Sequence, residues 1–391
     1  MEQKHISNPV QFNGKGGEFF GIWIVNVLLS IITLGIYSAW AKVRTKRYFY
    51  GNTLIAGDNF EYHATPMQIL KGRLVAFAIV LLWSVSNSLW PMISALLLLI
   101  FYAALPWLLW SNARFDAVMT SYRNVHFSFT SSLKDAYISL MGRGLGALIV
   151  MMIYFSLIFS AFGVSTTISI ILALGSLLLM AFLYAWVIAG VHKFFANGYK
   201  YGDWAFSADI KTGFFIKLYL KAMGIGLLAA MAILALMLVT VFGGLDFNAI
   251  QNGDFNSLSS DGQATFIAFA YIGMIVMSIA LTAYTAVCIR NYVFTQIRIN
   301  HEESQDNEYQ LDSDLTVKGY IWLVVSNFLL QVVTLGIARP WVMVRTSRYL
   351  ANHTAVIGDM SYLNANDQTN DMKSAVTDEI AEAFDLGIGI G

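Results

Sequence analysis

Hydrophobic positions in this chain come in long uninterrupted blocks. No Asp, Glu, Lys or Arg occurs between Arg73 and Arg114 or from Gly144 to His192, and from Ala222 to Ile289 the only charges are Asp246, Asp254 and Asp261. A helix needs about 20 apolar residues to cross the hydrocarbon of a bilayer, so each block is long enough to cross twice. Each also has a polar or turn-prone midpoint, at Ser84 to Pro91, Gly163 to Thr167 and Gly243 to Gly262. The pattern predicts three transmembrane helical hairpins, six spans in all. A transmembrane β-barrel is disfavoured, because its strands would alternate apolar and polar positions.

Two further apolar segments, Phe19 to Ala41 and Tyr320 to Ala338, are shorter. Each has a Thr-Leu-Gly-Ile break in its second half, at Thr33 to Ile36 and Thr334 to Ile337. At 1.5 Å per residue a helix from Phe19 to Thr33 is about 22 Å long, short of the roughly 30 Å hydrocarbon core. Gly35 suits the residue after a helix end, where a left-handed backbone is common. These segments are expected either to span once or to dip in and return to the side they left.

Composition agrees with a membrane chain. Of 391 residues 57% are hydrophobic and 12% charged, and 24 Lys+Arg balance 24 Asp+Glu. A soluble domain of this length could not hide so much apolar surface behind so few charges. Zero net charge also excludes a nucleic-acid binder driven by excess cations, and the single cysteine, Cys288, excludes a disulfide framework. The N-terminal MEQKHISNPV lacks the basic-then-apolar profile of a cleaved signal. All Lys and Arg lie outside the three charge-poor blocks, in the segments that join them. The positive-inside rule places those joints in the cytoplasm, with both termini there and the loops near Asn87, Ser165 and Asp254 outside.

The two Thr-Leu-Gly-Ile segments are copies. At one offset of 301 residues Asn26 matches Asn327, Trp40 matches Trp341, and Arg44, Thr45, Arg47 and Tyr48 match Arg345, Thr346, Arg348 and Tyr349. A weaker motif recurs after each apolar block: a cation, an aromatic, then Thr or Tyr six positions after the cation. It reads Arg47-Tyr48…Thr53, Arg114-Phe115…Thr120, Lys193-Phe194…Tyr199 and Arg348-Tyr349…Thr354, with a degenerate copy from Arg290. The text from Thr53 to Tyr62 alternates around Gly57-Asp58, a two-residue β-hairpin signal. The fold class expected is therefore an all-α polytopic membrane protein, with three spanning hairpins flanked by two re-entrant or single-span segments. Short cytoplasmic β-hairpins join about five repeat units (about 10–53, 60–120, 127–199, 206–296 and 309–354) within one domain, 1–365. If the units are copies, their cationic exits share one face. Both short segments must then return to their own side.

The run Asn26-Val-Leu-Leu…Thr33-Leu-Gly-Ile-Tyr37…Trp40…Arg47-Tyr48, then Phe60-Glu-Tyr62, resembles the YjgN family of bacterial inner-membrane proteins, a domain of unknown function. The likeness extends through Met119-Thr-Ser-Tyr122, Val125 to Phe129 and Arg290-Asn291, covering most of the chain. It implies an inner-membrane location and carries over no catalytic residue.

Candidate chemistry is sparse. Arg44, Arg47, Arg345 and Arg348, with Trp40, Tyr48, Trp341 and Tyr349, fall where apolar segments meet the cytoplasm. Interfacial anchoring accounts for such residues. The sharper alternative is a paired basic pocket for the phosphate or carboxylate of a lipid or solute, since Arg suits bidentate contact with both. Asp58 and Asp359 follow glycines and are read as turn residues. The histidines match no metal-ligand spacing, and neither a metal nor a cofactor is expected. No charged residue sits at mid-depth in the blocks, which disfavours an ion-driven pump. Residues 366–391 form an acidic tail, in which 371–385 is expected to be a short amphipathic helix able to dock on the basic face or on a membrane-protein partner. The function expected is non-enzymatic binding or transport of an anionic lipid or small solute at the cytoplasmic face. A structural or accessory subunit of a membrane complex is the alternative, and a membrane-embedded enzyme comes last. Membrane lipids are the expected partners and nucleic acid is not.

Overall fold

The short segments between apolar blocks pair with one another around a single ring. The computed structural model describes residues 6–242, 260–301, 308–363 and 365. Its strands are β1 (Ser7–Pro9), β2 (Gln11–Phe12), β3 (Thr53–Ile55), β4 (Asp58–Tyr62), β5 (Thr120–Tyr122), β6 (Val125–Phe129), β7 (Tyr199–Tyr201), β8 (Trp204–Ala208), β9 (Ile297–His301), β10 (Glu308–Ser313) and β11 (Thr354–Ile357). They form one 11-stranded antiparallel sheet in the order β1-β11-β10-β9-β8-β7-β6-β5-β4-β3-β2. The two ends of that order, β1 and β2, are separated in sequence only by Val10. Ser7 pairs with Ile357 on one side and Gln11 with Leu54 on the other, and the Val10 amide donates to the Thr354 carbonyl at 2.9 Å. The N-terminal segment thus closes the sheet into a barrel.

The description all-α therefore holds for the helical part alone. Strands of two to six residues carry little periodic signal, and their partners lie far away along the chain. The first turn also shifts by one residue from the expected Gly57-Asp58. It is Ala56-Gly57, at φ 51° and 91°, and Asp58 opens β4. Two successive positive φ angles make the tight turn whose twist suits a hairpin. Arg123 and Asn124, at φ 49° and 61°, do the same between β5 and β6.

Helices come in pairs between a leading and a trailing strand: α1 (Gly16–Ile32) with α2 (Ser38–Gly51), α3 (Pro66–Leu89) with α4 (Pro91–Val118), and α5 (Leu133–Phe162) with α6 (Thr166–Ala196). α7 (Thr212–Phe242) and α8 (Ser260–Gln296) follow, then α9 (Val317–Val333) with α10 (Arg339–Asn352). Each helix packs on the next, and α10 returns to α1. Starts are capped locally: the Thr65 hydroxyl accepts from the Gln68 amide, with Pro66 in the first turn, a capping box.

Six of these helices are long and apolar enough to cross a membrane, and between 6% and 17% of their most apolar windows is buried. So little burial leaves their side chains facing an apolar solvent, as hydrocarbon provides. α1 and α9, at 17 residues each, are shorter. The break after each is built identically. The Thr33 hydroxyl donates to Leu29 O at 2.7 Å and accepts from the Tyr37 amide at 2.9 Å; Thr334 donates to Leu330 O at 2.7 Å and accepts from the Ala338 amide at 3.1 Å. Leu34 and Leu335 take φ of 50° and 49°, ahead of Gly35 and Gly336 at 92° and 86°. Both leucines stand out from the tip, 94% and 92% exposed.

The barrel interior is filled by aromatic and branched side chains, among them Tyr122, Tyr201, Trp204, Tyr309 and Val356. Buried phenols must find acceptors. The Tyr122 hydroxyl donates to Ile55 O and the Tyr201 hydroxyl to Tyr122 O, both at 2.8 Å. Each links the end of one trailing strand to the end of the preceding one. The expected loop near Asp254, residues 302–307 and the 371–385 tail helix lie outside the described residues.

Candidate functional site

The four arginines singled out in the sequence are spread around the helix–sheet junction. Arg44 donates from Nη1 to Asn26 Oδ1 (3.3 Å) and to the Tyr37 hydroxyl (3.0 Å); Arg345 donates to Asn327 Oδ1 (3.3 Å). Both asparagines are buried, so each arginine satisfies a polar group inside its own helix pair. Arg47 donates to the carbonyls of Tyr62 and Ala64, each at 3.2 Å, and Arg348 to that of Gly14 at 2.7 Å. These backbones lead into α3 and into α1, so each arginine ties its helix to the start of a neighbouring helix pair. Tyr48 sits between the Lys15 amide and carbonyl, at 2.8 and 3.0 Å. Trp40 stacks on Tyr37 and Trp341 packs on Phe20, with centroids 6.1 and 5.0 Å apart. Tyr349 keeps its hydroxyl buried. The structure brings α1 and α10 together at one seam, but it spends these arginines on separate structural acceptors.

Asp58 and Asp359 are likewise engaged in separate ways. Asp58 Oδ2 lies 2.6 Å from Arg123 Nε. Asp359 accepts from the Ser361 amide and hydroxyl, which hold its carboxyl below the usual range. Among the described residues no group of three or more His, Cys, Asp or Glu is placed to hold a metal ion.

A different arginine lines a cavity. Arg290 lies six residues before the end of α8, about 9 Å along the axis. It borders a space of about 270 Å³ with His192 of α6, Tyr320 of α9 and Leu350 of α10. The remaining wall is apolar: Ala286, Val287, Ile289, Val293, Phe294 and Leu315. Arg290 Nη2 donates to the Thr354 hydroxyl at 3.2 Å, and the guanidinium lies over the Phe294 ring, 4.2 Å from its centroid. Its Nε is buried and has no hydrogen-bond partner. Among the described residues no carboxylate pairs with it.

An unpaired cation in an apolar wall is unfavourable by several kcal/mol unless an anion completes it. The planar guanidinium offers its terminal nitrogens as a fork that matches phosphate or carboxylate. The His192 ring, stacked on Phe215 at 5.7 Å, and the Tyr320 ring bound the same space.

Sequence reasoning placed Arg290 in a degenerate exit motif and His192 among scattered histidines. Its usable signal was the residue after the cation. Four copies carry an aromatic there, whereas the fifth carries Asn291. Asn291 Oδ1 accepts from the Ser313 hydroxyl and the Leu315 amide, at 2.9 and 3.1 Å, and Asn291 Nδ2 donates to Leu315 O at 2.9 Å. This clamp seats the segment that leads into α9 against the site.

Comparison with known proteins agrees with this architecture. Over 387 residues the chain is 30% identical to the inner membrane protein YjgN of Salmonella typhimurium, covering 94% of this chain and 92% of that one. The YjgN proteins of Escherichia coli O157:H7 and K12 are 28% and 27% identical, each aligned over 91% of this chain and 90% of their own. No solved structure matches. The family model described as bacterial protein of unknown function (DUF898) matches residues 7–383. The match runs from the strand that closes the barrel, through every helix pair, to beyond β11, and the chain belongs to that family.

Proposed function

We propose that this protein is a non-enzymatic, multi-pass inner-membrane protein that binds an anionic amphiphile, with the head group held by Arg290. The observation that carries this reading is Arg290, which has no carboxylate partner among the described residues and lines a cavity that is apolar apart from His192 and Tyr320. A volume of about 270 Å³ lies at the lower limit of small-molecule sites, roughly 300–1,000 Å³. It suits a phosphate- or carboxylate-bearing head group, with the tail left in the bilayer.

The membrane arrangement supports that placement. The six long helices form three hairpins that cross the bilayer, and the two short pairs are re-entrant. Their tips carry Leu34 and Leu335 into hydrocarbon, where an exposed leucine is at ease. Five strand–helix–helix–strand units repeat around the barrel, and their cation-rich exits put the sheet and both termini in the cytoplasm. Arg290 then lies near the cytoplasmic headgroup level, where anionic lipids are concentrated. Arg47, Arg114 and Arg348 occupy matching positions in other units.

Native mass spectrometry of protein extracted from bacterial membranes tests the assignment. Wild type should retain an anionic lipid, and Arg290→Gln should lose at least five-fold of it. Arg298→Gln, which breaks a surface pair with Glu308 at 3.3 Å, should retain it. Equal retention by wild type and Arg290→Gln overturns the reading.

A further inference from the structure

A second and larger cavity lies where the helix ring meets the barrel. It measures about 620 Å³, inside the range of small-molecule sites. All five helix–strand units and the closing segment contribute to its wall. Phe49 and Tyr50 come from the end of α2, Phe60, Phe127 and Phe206 from β4, β6 and β8, and Phe294 from α8. Val10, between β1 and β2, and Ser347 of α10 also contribute. The chamber thus draws side chains from every segment that joins the apolar blocks, next to the aromatic filling of the barrel.

Three of the polar groups in this wall already have partners. Asp116 Oδ1 lies 2.5 Å from Lys46 Nζ. The Thr53 hydroxyl donates to Phe49 O at 2.9 Å and the Thr120 hydroxyl to Asp116 O at 2.7 Å. Most of what faces the space is aromatic and aliphatic carbon, with Tyr50, Tyr199 and Ser347 adding hydroxyl-bearing side chains. An ion would lose most of its hydration there for few partners, whereas a hydrocarbon chain gains contact with most of the wall.

The ring of helices also offers a way in. The short pairs α1–α2 and α9–α10 are neighbours, because closure of the barrel sets β11 beside β1 and α10 against α1. The long pairs therefore form three tall sides, and the seam at Phe20 and Trp341 is a low one. Phe49, Tyr50 and Ser347 of the chamber belong to these short pairs. We infer that the axial chamber binds a hydrocarbon chain, acyl or isoprenoid, that enters from the bilayer over the low seam of the two short helix pairs. This site is independent of the anion assigned to Arg290, although Phe294 walls both cavities.

Photo-crosslinking of the full chain in lipid nanodiscs tests it. One arm uses phosphatidylcholine with a diazirine on an acyl chain, and the other uses a diazirine-bearing prenyl alcohol. The prenyl alcohol carries neither phosphate nor carboxylate, so that arm does not depend on Arg290. Peptides containing Phe60, Phe127 and Phe206 should be labelled at least five-fold above the peptide containing Arg298 and Glu308. The arm that labels identifies the chain type. Ser347→Phe, which fills part of the space, should reduce chamber labelling at least three-fold and leave labelling of α5 and α6 unchanged, which shows that the variant is folded. Arg290→Gln should leave chamber labelling within two-fold of wild type. Chamber peptides labelled no more than the surface peptide in both arms overturn the inference. So does labelling of those peptides by a water-soluble diazirine to the same extent as the surface peptide.

Discussion

The contact between Lys46 of α2 and Asp116 of α4 joins two neighbouring units, and its removal has a predictable size. Lys46 Nζ lies 2.5 Å from Asp116 Oδ1, with side chains 19% and 30% exposed, and 4.9 Å from the centroid of the Tyr62 ring. A charge-assisted hydrogen bond contributes about 1.5–3 kcal/mol, and a partly exposed cation–π contact about 0.5–1 kcal/mol. Lys46→Met removes both and leaves a half-buried carboxylate, so it should cost about 2–4 kcal/mol by those two figures. Asp116→Asn keeps the ring contact and should cost about 1–3 kcal/mol. The double variant should cost less than the sum by about 1–2 kcal/mol, the coupling expected for residues in contact. Intrinsic-fluorescence melting in detergent reads these as falls in apparent Tm, at about 2 °C per kcal/mol in a chain of this size. Singles should fall by about 2–8 °C, and the double by at least 2 °C less than their sum, on the same conversion. Additivity within experimental error would refute the claim that this pair holds the two units together.

Two further outcomes follow from the barrel. Tyr201→Phe strands the buried carbonyl of Tyr122 and should cost about 1–3 kcal/mol, read as a lower Tm; an unchanged Tm would show that the tyrosine chain contributes nothing to closure. His63, whose Nε2 lies 2.7 Å from Ser121 Oγ, has its pKa lowered first by burial and then by the neighbouring His126. Its neutral form is therefore favoured in the folded state. The stability it contributes is complete above the unfolded value of about 6.5 and is lost as pH falls from there through the folded pKa. Melting from pH 8 to pH 5 should show an acid loss that shrinks in His63→Gln, and parallel curves for the two proteins would contradict the assignment.

Much of the helical part was legible in the sequence because membrane solvation writes a coarse signal. Charge-poor blocks correspond to the long helices α3 to α8. Thr33 and Thr334 anchor their breaks through local bonds to residues four positions away, so the motif carries its own geometry. Closure of the barrel was not legible. It depends on pairing of Ser7 with Ile357, and nothing in either short segment names the other. The arginine motif was found, but its residues turned out to hold Asn26, Asn327 and the backbones of adjoining units. The Arg290 cavity needed side chains from α6, α8, α9 and α10 in one place, which only the closed ring supplies.

The account rests most directly on an anion completing Arg290. A cryo-EM map of the full chain in nanodiscs containing phosphatidylglycerol would show it. The account predicts head-group density within hydrogen-bond distance of the Arg290 guanidinium, between His192 and Tyr320. An Arg290 side chain turned out of the cavity, or a cavity filled by ordered water alone, would contradict it.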